Sequence, residues 1–411
     1  MASRLRVLLH GIPIGVLSLD QREGSEFRLL ESYKQAYPRP VLGQVFLDDL
    51  EQVQRTRARV PAWFSNLLPE GPLRDLVAKQ AGVHASREFF LLRHLGEDLP
   101  GAVRIVPDDL AGELDPEEVR YEEREREEAQ DTWHFSLAGV QLKFSARKSE
   151  RGLTIPASGR GGDWILKLPD SRYPKVPENE YATMLWARKS GIRVPDVELV
   201  DTSNITGLPA TYGQYTERHA LAIRRFDRRF DSPFDNPSPD RRIHMEDFAQ
   251  ILGLYPEEKY DKYSYENLAR LIQALAGEAG LDEFIRRLIF VIVSGNGDAH
   301  HKNWSLLYPD GVHAELSPAY DLVSTIQYQA EDKLALNLGG SKLWQDMTAK
   351  TFLRLARKLD EPESCMAARV EAALDAVLGA WREASADFGF DARERERMAS
   401  HFARIPLIRY R

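Results

Sequence analysis

The chain has 411 residues and is 43% hydrophobic, enough for at least one large core and for two or three domains or subdomains. Its 55 Lys and Arg against 63 Asp and Glu leave a net charge of -8, which excludes general attraction to a polyanion such as DNA. A single cysteine, Cys365, excludes an intramolecular disulfide framework and a multi-cysteine zinc site and fits a reducing compartment.

The opening MASRLRVLLHGIPIG is interrupted by Gly and Pro well short of a signal peptide, and no run approaches the roughly 20 apolar residues of a membrane helix. We therefore expect a cytoplasmic protein with no membrane contact. Residues 5 to 20 alternate around a Gly11-to-Gly15 turn and predict a β-hairpin, followed by helical patterns from about Ala62 to Leu95. This makes a small α+β unit over 1–110. Asp115 to Asp131 carries nine acidic and three basic residues with almost nothing to bury, so 111–132 reads as an acidic linker.

Residues 133–231 are strand-rich, with HFSLAGVQLKFSA, GLTIPA, DWILKLP, VPDVELVD and HALAIRRFD flanking one helical stretch, ENEYATMLWARKSG. From 232 to 411 the pattern turns helical in MEDFAQILG, YSYENLARLIQALAGEAG and LDEFIRRLIFVIVSG. It breaks into a loop and short strands at 295 to 325, then returns to helix through 404. The expected fold class is α+β, a strand-rich lobe joined to a helix-rich lobe, a shape that holds a nucleotide in the cleft between them.

The chemistry concentrates in GNGDAHHKN, Gly295 to Asn303, a polar loop between an apolar helix and the apolar strand WSLLY. Asp321 follows eighteen residues later, in LSPAYDLVS. Phosphoryl transfer from ATP needs a carboxylate to orient or deprotonate the acceptor hydroxyl, and an Asn and a second Asp to hold Mg²⁺ against the phosphates. Asp298, Asn303 and Asp321 supply that set in that order, with Asp298 five residues before Asn303, the spacing of protein kinases. Lys302 is expected to neutralise phosphate charge, and His300 to brace the loop. Asp and Asn in a Gly-containing loop are also ordinary turn formers, and adjacent histidines with an Asp would also suit a zinc hydrolase.

Upstream, Lys167 in DWILKLPD is a strand lysine with apolar neighbours, suited to phosphate contact although strand lysines are by default solvated. Glu178 and Glu180 both stand where an ion pair to it would form, and the sequence leaves the choice open. HFSLAGVQLKFSA has the strand–turn–strand form of a phosphate-covering loop, but its one glycine, Gly139, matches neither nucleotide-loop pattern, and a plain hairpin is the simpler reading. Arg224, Arg225, Arg228 and Arg229 form a basic cluster that could steer an acidic substrate, and a surface patch with internal ion pairs is the simpler reading.

Taken in order, these segments resemble the HipA family of kinases over nearly the whole chain. WFSNLLPEGPLRDLVAKQAGV and LGEDLPGAV resemble its amino-terminal signatures, with no catalytic role implied. FSLAGVQLKF resembles its phosphate loop, which implies nucleotide contacts at Ser136, Ala138, Gly139, Gln141 and Lys143 and self-phosphorylation at Ser136. WILKLP implies the ATP-lysine role for Lys167, and AIRRFDR implies backbone contacts to adenine at Arg224 and Phe226. HMEDFAQILG resembles a nucleotide-contacting segment in which His244 replaces the expected Gln. GNGDAHHKN and SPAYDLVS imply the base role for Asp298 and Mg²⁺ binding by Asn303 and Asp321, in agreement with the residue-level reading.

The resemblance further implies a two-lobed protein-kinase-like fold and a serine/threonine kinase toxin that phosphorylates a translation component such as an aminoacyl-tRNA synthetase. It also implies restraint by a HipB-like helix-turn-helix antitoxin, through which DNA is contacted only indirectly. The rival readings are a catalytically inactive corepressor and a small-molecule phosphotransferase.

Overall fold

The computed structural model describes residues 3–19, 24–108, 143–149, 152–155, 162–170, 172–207, 217–229 and 241–409. The acidic run and Ser136, Ala138, Gly139 and Gln141 lie outside the described residues.

The chain begins with an antiparallel sheet ordered β4-β3-β2-β1-β5. Its strands are β1 (Arg4–Leu9), β2 (Ile12–Leu19), β3 (Ser25–Leu29), β4 (Gln54–Thr56) and β5 (Val103–Pro107). Leu5, Val7 and Leu9 of β1 are buried in strict alternation, the period that a half-buried strand requires. The hairpin turn sits at His10 and Gly11, both at positive φ, so the expected turn from Gly11 to Gly15 is too long. Gly15 lies inside β2, where a Cβ would come within 2.5 Å of the Phe27 ring; it is glycine for close approach, not for turning. Helices α1 (Glu31–Lys34), α2 (Gln44–Leu47), α3 (Ala62–Ser65), α4 (Gly71–Gln80) and α5 (Glu88–Leu95) cover this sheet. Phe27, Phe46, Trp63 and Phe64 pack there, edge to face in the Phe27–Phe64, Phe46–Trp63 and Trp63–Phe64 pairs.

The second sheet is ordered β10-β7-β6-β8-β11-β9. It comprises β6 (Lys143–Ser149), β7 (Gly152–Thr154), β8 (Trp164–Lys167), β9 (Val197–Asp201), β10 (Ile205–Thr206) and β11 (His219–Arg224). Phe144, Leu166, Leu168 and Ala220 join Leu5, Leu91 and Val103 in one apolar cluster, so the two sheets share a core. The helix between β8 and β9, α6 (Val176–Lys189), packs the other way: Met184, Trp186 and Ala187 belong to the core of the helical lobe.

That lobe opens with β12 (His244–Asp247), paired with β13 (Ser305–Tyr308), which also pairs with β14 (Glu315–Leu316). The expected helix over MEDFAQILG is therefore shorter than read: Met245 to Asp247 are strand, and a capping box between Asp247 and Gln250 starts the single turn α7 (Phe248–Ile251). Helix α8 (Tyr265–Ser294) is broken at Gly277, and beyond the break Leu281, Phe284 and Leu288 through Val293 are buried on every side, as a helix apolar all round must be. Helices α9 (Ala349–Lys358), α10 (Glu363–Ala384), α11 (Ala392–Arg404) and α12 (Pro406–Arg409) complete the lobe. No helix of the described residues is long and apolar enough to cross a membrane. The architecture is the expected α+β fold, a strand-rich amino-terminal part against a helix-rich carboxy-terminal lobe, kinase-like in form.

Candidate active site

Between the second sheet and the helical lobe lies a cleft of about 600 Å³, within the range of small-molecule and cofactor sites. Its roof is set by β6 and β8, where Lys143 and Lys167 are direct cross-strand partners and point to the same face. Two ammonium groups so placed repel unless carboxylates answer them. Lys167 lies 2.5 Å from Glu180 Oε1 and also bonds Asp321 Oδ1, while Lys143 is 3.3 Å from Asp321 Oδ2. The structure therefore selects Glu180 over Glu178, whose carboxylate instead meets His219 at 2.9 Å.

Burial opposes charge on Lys167, but Asp321 and Glu180 outweigh it and hold the ammonium well above its ordinary range. Burial likewise pushes Asp321 up, and the two lysines overcome it and hold the carboxylate well below its ordinary range. Glu180 moves up, through burial and the neighbouring Asp321. Asp321 adopts a left-handed φ of 53°, a conformation unusual outside glycine and concentrated at functional sites.

The floor is the loop after α8. Gly295 ends the helix in the left-handed conformation, where a Cβ would meet the Ile326 side chain at 2.7 Å. Asn296 then turns back, its Oδ1 accepting from the Asp298 backbone N–H at 3.0 Å. Asn303 Nδ2 donates to the Asp298 carbonyl at 2.8 Å, which leaves Asn303 Oδ1 for another partner. Tyr260 donates its hydroxyl to Asp298 Oδ1. The Asp298 side chain is 53% exposed into the cleft. The cleft walls raise its proton affinity, helped by Asp321 and Asp332 and opposed by the Tyr260 bond and Lys259. Asp298, Asn303 and Asp321 all line the cleft, as do Lys143, Lys167, Arg224 and Phe226.

His300 sits edge-on to Tyr260 at 4.9 Å, with its pKa lowered to about 3 by burial and then by Lys259, so the ring is neutral. His301 turns away, its Nδ1 2.6 Å from the Lys259 carbonyl. Among the described residues no group of three or more His, Cys, Asp or Glu is arranged to hold a metal, so the zinc reading finds no support there. A carboxylate and an amide oxygen, Asp321 and Asn303, are the hard-ligand pair that Mg²⁺ takes from a protein when phosphates supply the rest.

Lys302 lines the cleft, and it is buried there 2.8 Å from Glu70, so the amino-terminal region already answers its charge. Two expectations require correction. His244 does not face the cleft: on β12 alternate residues point opposite ways, Met245 and Asp247 line the cleft, and His244 is fully buried with Nε2 2.7 Å from the Leu42 carbonyl. Nor are the four arginines a surface patch: Arg225 and Arg228 are buried in a network with Asp98 and Asp227, with Arg228 Nη1 also bonding the Gly101 carbonyl.

Sequence reasoning missed Tyr260 and gave Glu70 no role in the site. Tyr260 sits in EEKYDKYSYE without any spacing signal; Glu70 lies in LLPEG, where only an acidic residue just before a helix marks it.

Two family models match the chain: the HipA N-terminal domain over residues 5–106 and the HipA-like C-terminal domain over residues 135–381. A Sinorhizobium fredii protein described as a candidate kinase, Y4dM, is 40% identical over 413 residues, 98% of this chain and 98% of that protein. The serine/threonine-protein kinase toxin HipA of Shewanella oneidensis is 28% identical over 314 residues, 68% of this chain and 67% of that protein. A chain in the solved complex of Shewanella oneidensis HipA, HipB and operator DNA superposes with a TM-score of 0.73 at 23% identity, covering 98% of this chain and 96% of that one. That likeness bears on the fold.

Proposed function

As a member of the HipA family of kinases, we propose, this chain is a Mg-ATP-dependent serine/threonine protein kinase whose transfer site is the cleft between Lys167 and Asp298. The observation that carries the reading is the bridge from Glu180 through Lys167 to Asp321, in the same cleft as Asp298 and Asn303. It brings together, from four separate segments, the groups phosphoryl transfer requires. Lys167, oriented by Glu180, and Lys143 beside it meet phosphate oxygens. Phe226 and the backbone at Arg224 border the purine. Asn303 and Asp321 would hold Mg²⁺, which supplies electrostatic screening of the phosphates. Asp298 accepts the acceptor hydroxyl's proton as the new oxygen–phosphorus bond forms and the bond to ADP breaks. Its raised proton affinity suits a base.

In this reading 133–231 is the nucleotide lobe and 232–411 the catalytic lobe, with 1–110 packed beside them. Ser136 is the site of self-phosphorylation, where a charge of about -1.5 to -2 would repel ATP and switch the kinase off. The likeness to a chain bound with HipB and operator DNA supports a helix-turn-helix antitoxin partner. With a net charge of -8, this chain reaches DNA through that partner. We place it in the cytoplasm, acting on a translation component such as an aminoacyl-tRNA synthetase.

The test is incubation with γ-labelled ATP and Mg²⁺, followed by mass-spectrometric mapping. Label on Ser136 supports the reading. Label only on a metabolite supplied as acceptor would favour a small-molecule phosphotransferase, and ATP binding without any transfer would favour an inactive corepressor.

A further inference from the structure

One carboxylate from the amino-terminal region reaches under the catalytic loop. Glu70, at the start of α4, lies 2.7 Å through Oε2 from Lys259 Nζ and 2.8 Å through Oε1 from Lys302 Nζ. Lys302 immediately precedes Asn303 and also donates to the Asn66 carbonyl at 3.2 Å. Lys259 precedes Tyr260, which holds Asp298, and its carbonyl accepts from the His301 N–H at 3.2 Å. Glu70 thus grips the loop at two points, one beside Asn303 and one beside the residue that orients Asp298.

Both lysines are 9% exposed, and without this carboxylate two buried ammonium groups would repel each other with only the charges of Asp247 near Lys302 and Asp298 near Lys259 to offset them. Burial opposes the charge on Glu70, but Lys302 and Lys259 prevail and hold its pKa down to about 2, so it is ionised throughout the working range. Glu70, Lys259, Tyr260 and Lys302 all line the cleft that holds Asp298.

We propose that Glu70 is a positioning residue of the phosphoryl-transfer site, fixing the catalytic loop through Lys302 and Lys259. The amino-terminal region then completes the active site instead of standing beside it. The inference rests on the kinase reading above.

The test compares wild type, Glu70→Gln and Glu70→Asp in the full chain. It measures γ-phosphate transfer from Mg-ATP, to protein or water, as a saturating rate and a half-saturating ATP concentration. Glu70→Gln keeps the size of the side chain and removes its charge. Its saturating rate should fall at least about tenfold while half-saturating ATP stays within about twofold, the signature of a lost transition-state arrangement. Glu70→Asp should recover part of the rate. Thermal melting and ATP binding report whether each variant folds.

An active wild type with an unchanged Glu70→Gln rate overturns the inference alone. So does a Glu70→Gln variant in which rate, ATP affinity and melting temperature fall together and Glu70→Asp recovers none of the rate, for then the carboxylate only stabilises the fold. A folded wild type that binds ATP but transfers nothing overturns the kinase reading and this inference with it.

Discussion

Lys167 is 3% exposed and answered by two carboxylates, so its replacement has two consequences that separate cleanly. Lys167→Met leaves Glu180 buried without its cation, and breaking a buried pair on one side costs about 3–5 kcal/mol. The melting temperature should fall, and ATP affinity should fall with it; a variant as stable as wild type would show that Glu180 is held protonated without the lysine. His244 supports a pH prediction. Burial lowers its pKa to about 4, against roughly 6.5 for an unfolded histidine. Protons therefore bind the unfolded chain first, and the contribution of neutral His244 is full above about pH 6.5 and lost as pH falls toward 4. Glu246, on the same side of β12, is raised to about 7 by burial and works in the opposite sense, losing stability as pH rises from its unfolded value through 7. In His244→Gln, urea unfolding between pH 4 and 6.5 should lose part of its acid sensitivity and uncover the Glu246 trend; an unchanged pH dependence would contradict the assignment.

At the scale of elements, legibility followed how completely one period ruled a segment. The last turns of α8, Leu288 to Val293, are apolar all round, and β8 is a short apolar run with one lysine, so both could be read in advance. MEDFAQILG could not, because its helix-forming composition hides the two-residue alternation that sends His244 and Glu246 one way and Met245 and Asp247 the other. The choice between Glu178 and Glu180 needed the helix phase of α6, whose inward face is fixed by packing on the distant Trp381 and Phe290. Asp298, Asn303 and Asp321, singled out by their spacing and order, line one cleft, whereas the partners of Lys302 lay more than two hundred residues away in sequence and left no local trace. Gly15 marks a place where an element meets a ring rather than a turn. Gly15→Ala should cost about 1–3 kcal/mol in urea unfolding, as overpacking does. A loss below about 0.5 kcal/mol would mean that the Phe27 ring yields freely.

Over the whole molecule, the site depends on contacts that cross between regions. The amino-terminal sheet shares its core with the second sheet, α6 belongs to the core of the helical lobe, and the buried Arg228 bonds Asp98, Asp227 and the Gly101 carbonyl. A cleft walled by elements pinned to different cores holds its charged groups in register, which electrostatic preorganisation requires. The most direct test of that account is the transfer rate of Asp298→Asn at saturating Mg-ATP, with ATP binding measured on the same sample. The variant should bind ATP as wild type does and transfer the γ-phosphate about 10²- to 10⁴-fold more slowly, the loss expected for a missing general base. A variant that transfers at the wild-type rate would contradict the assignment of Asp298 as the base and, with it, the placement of the transfer site.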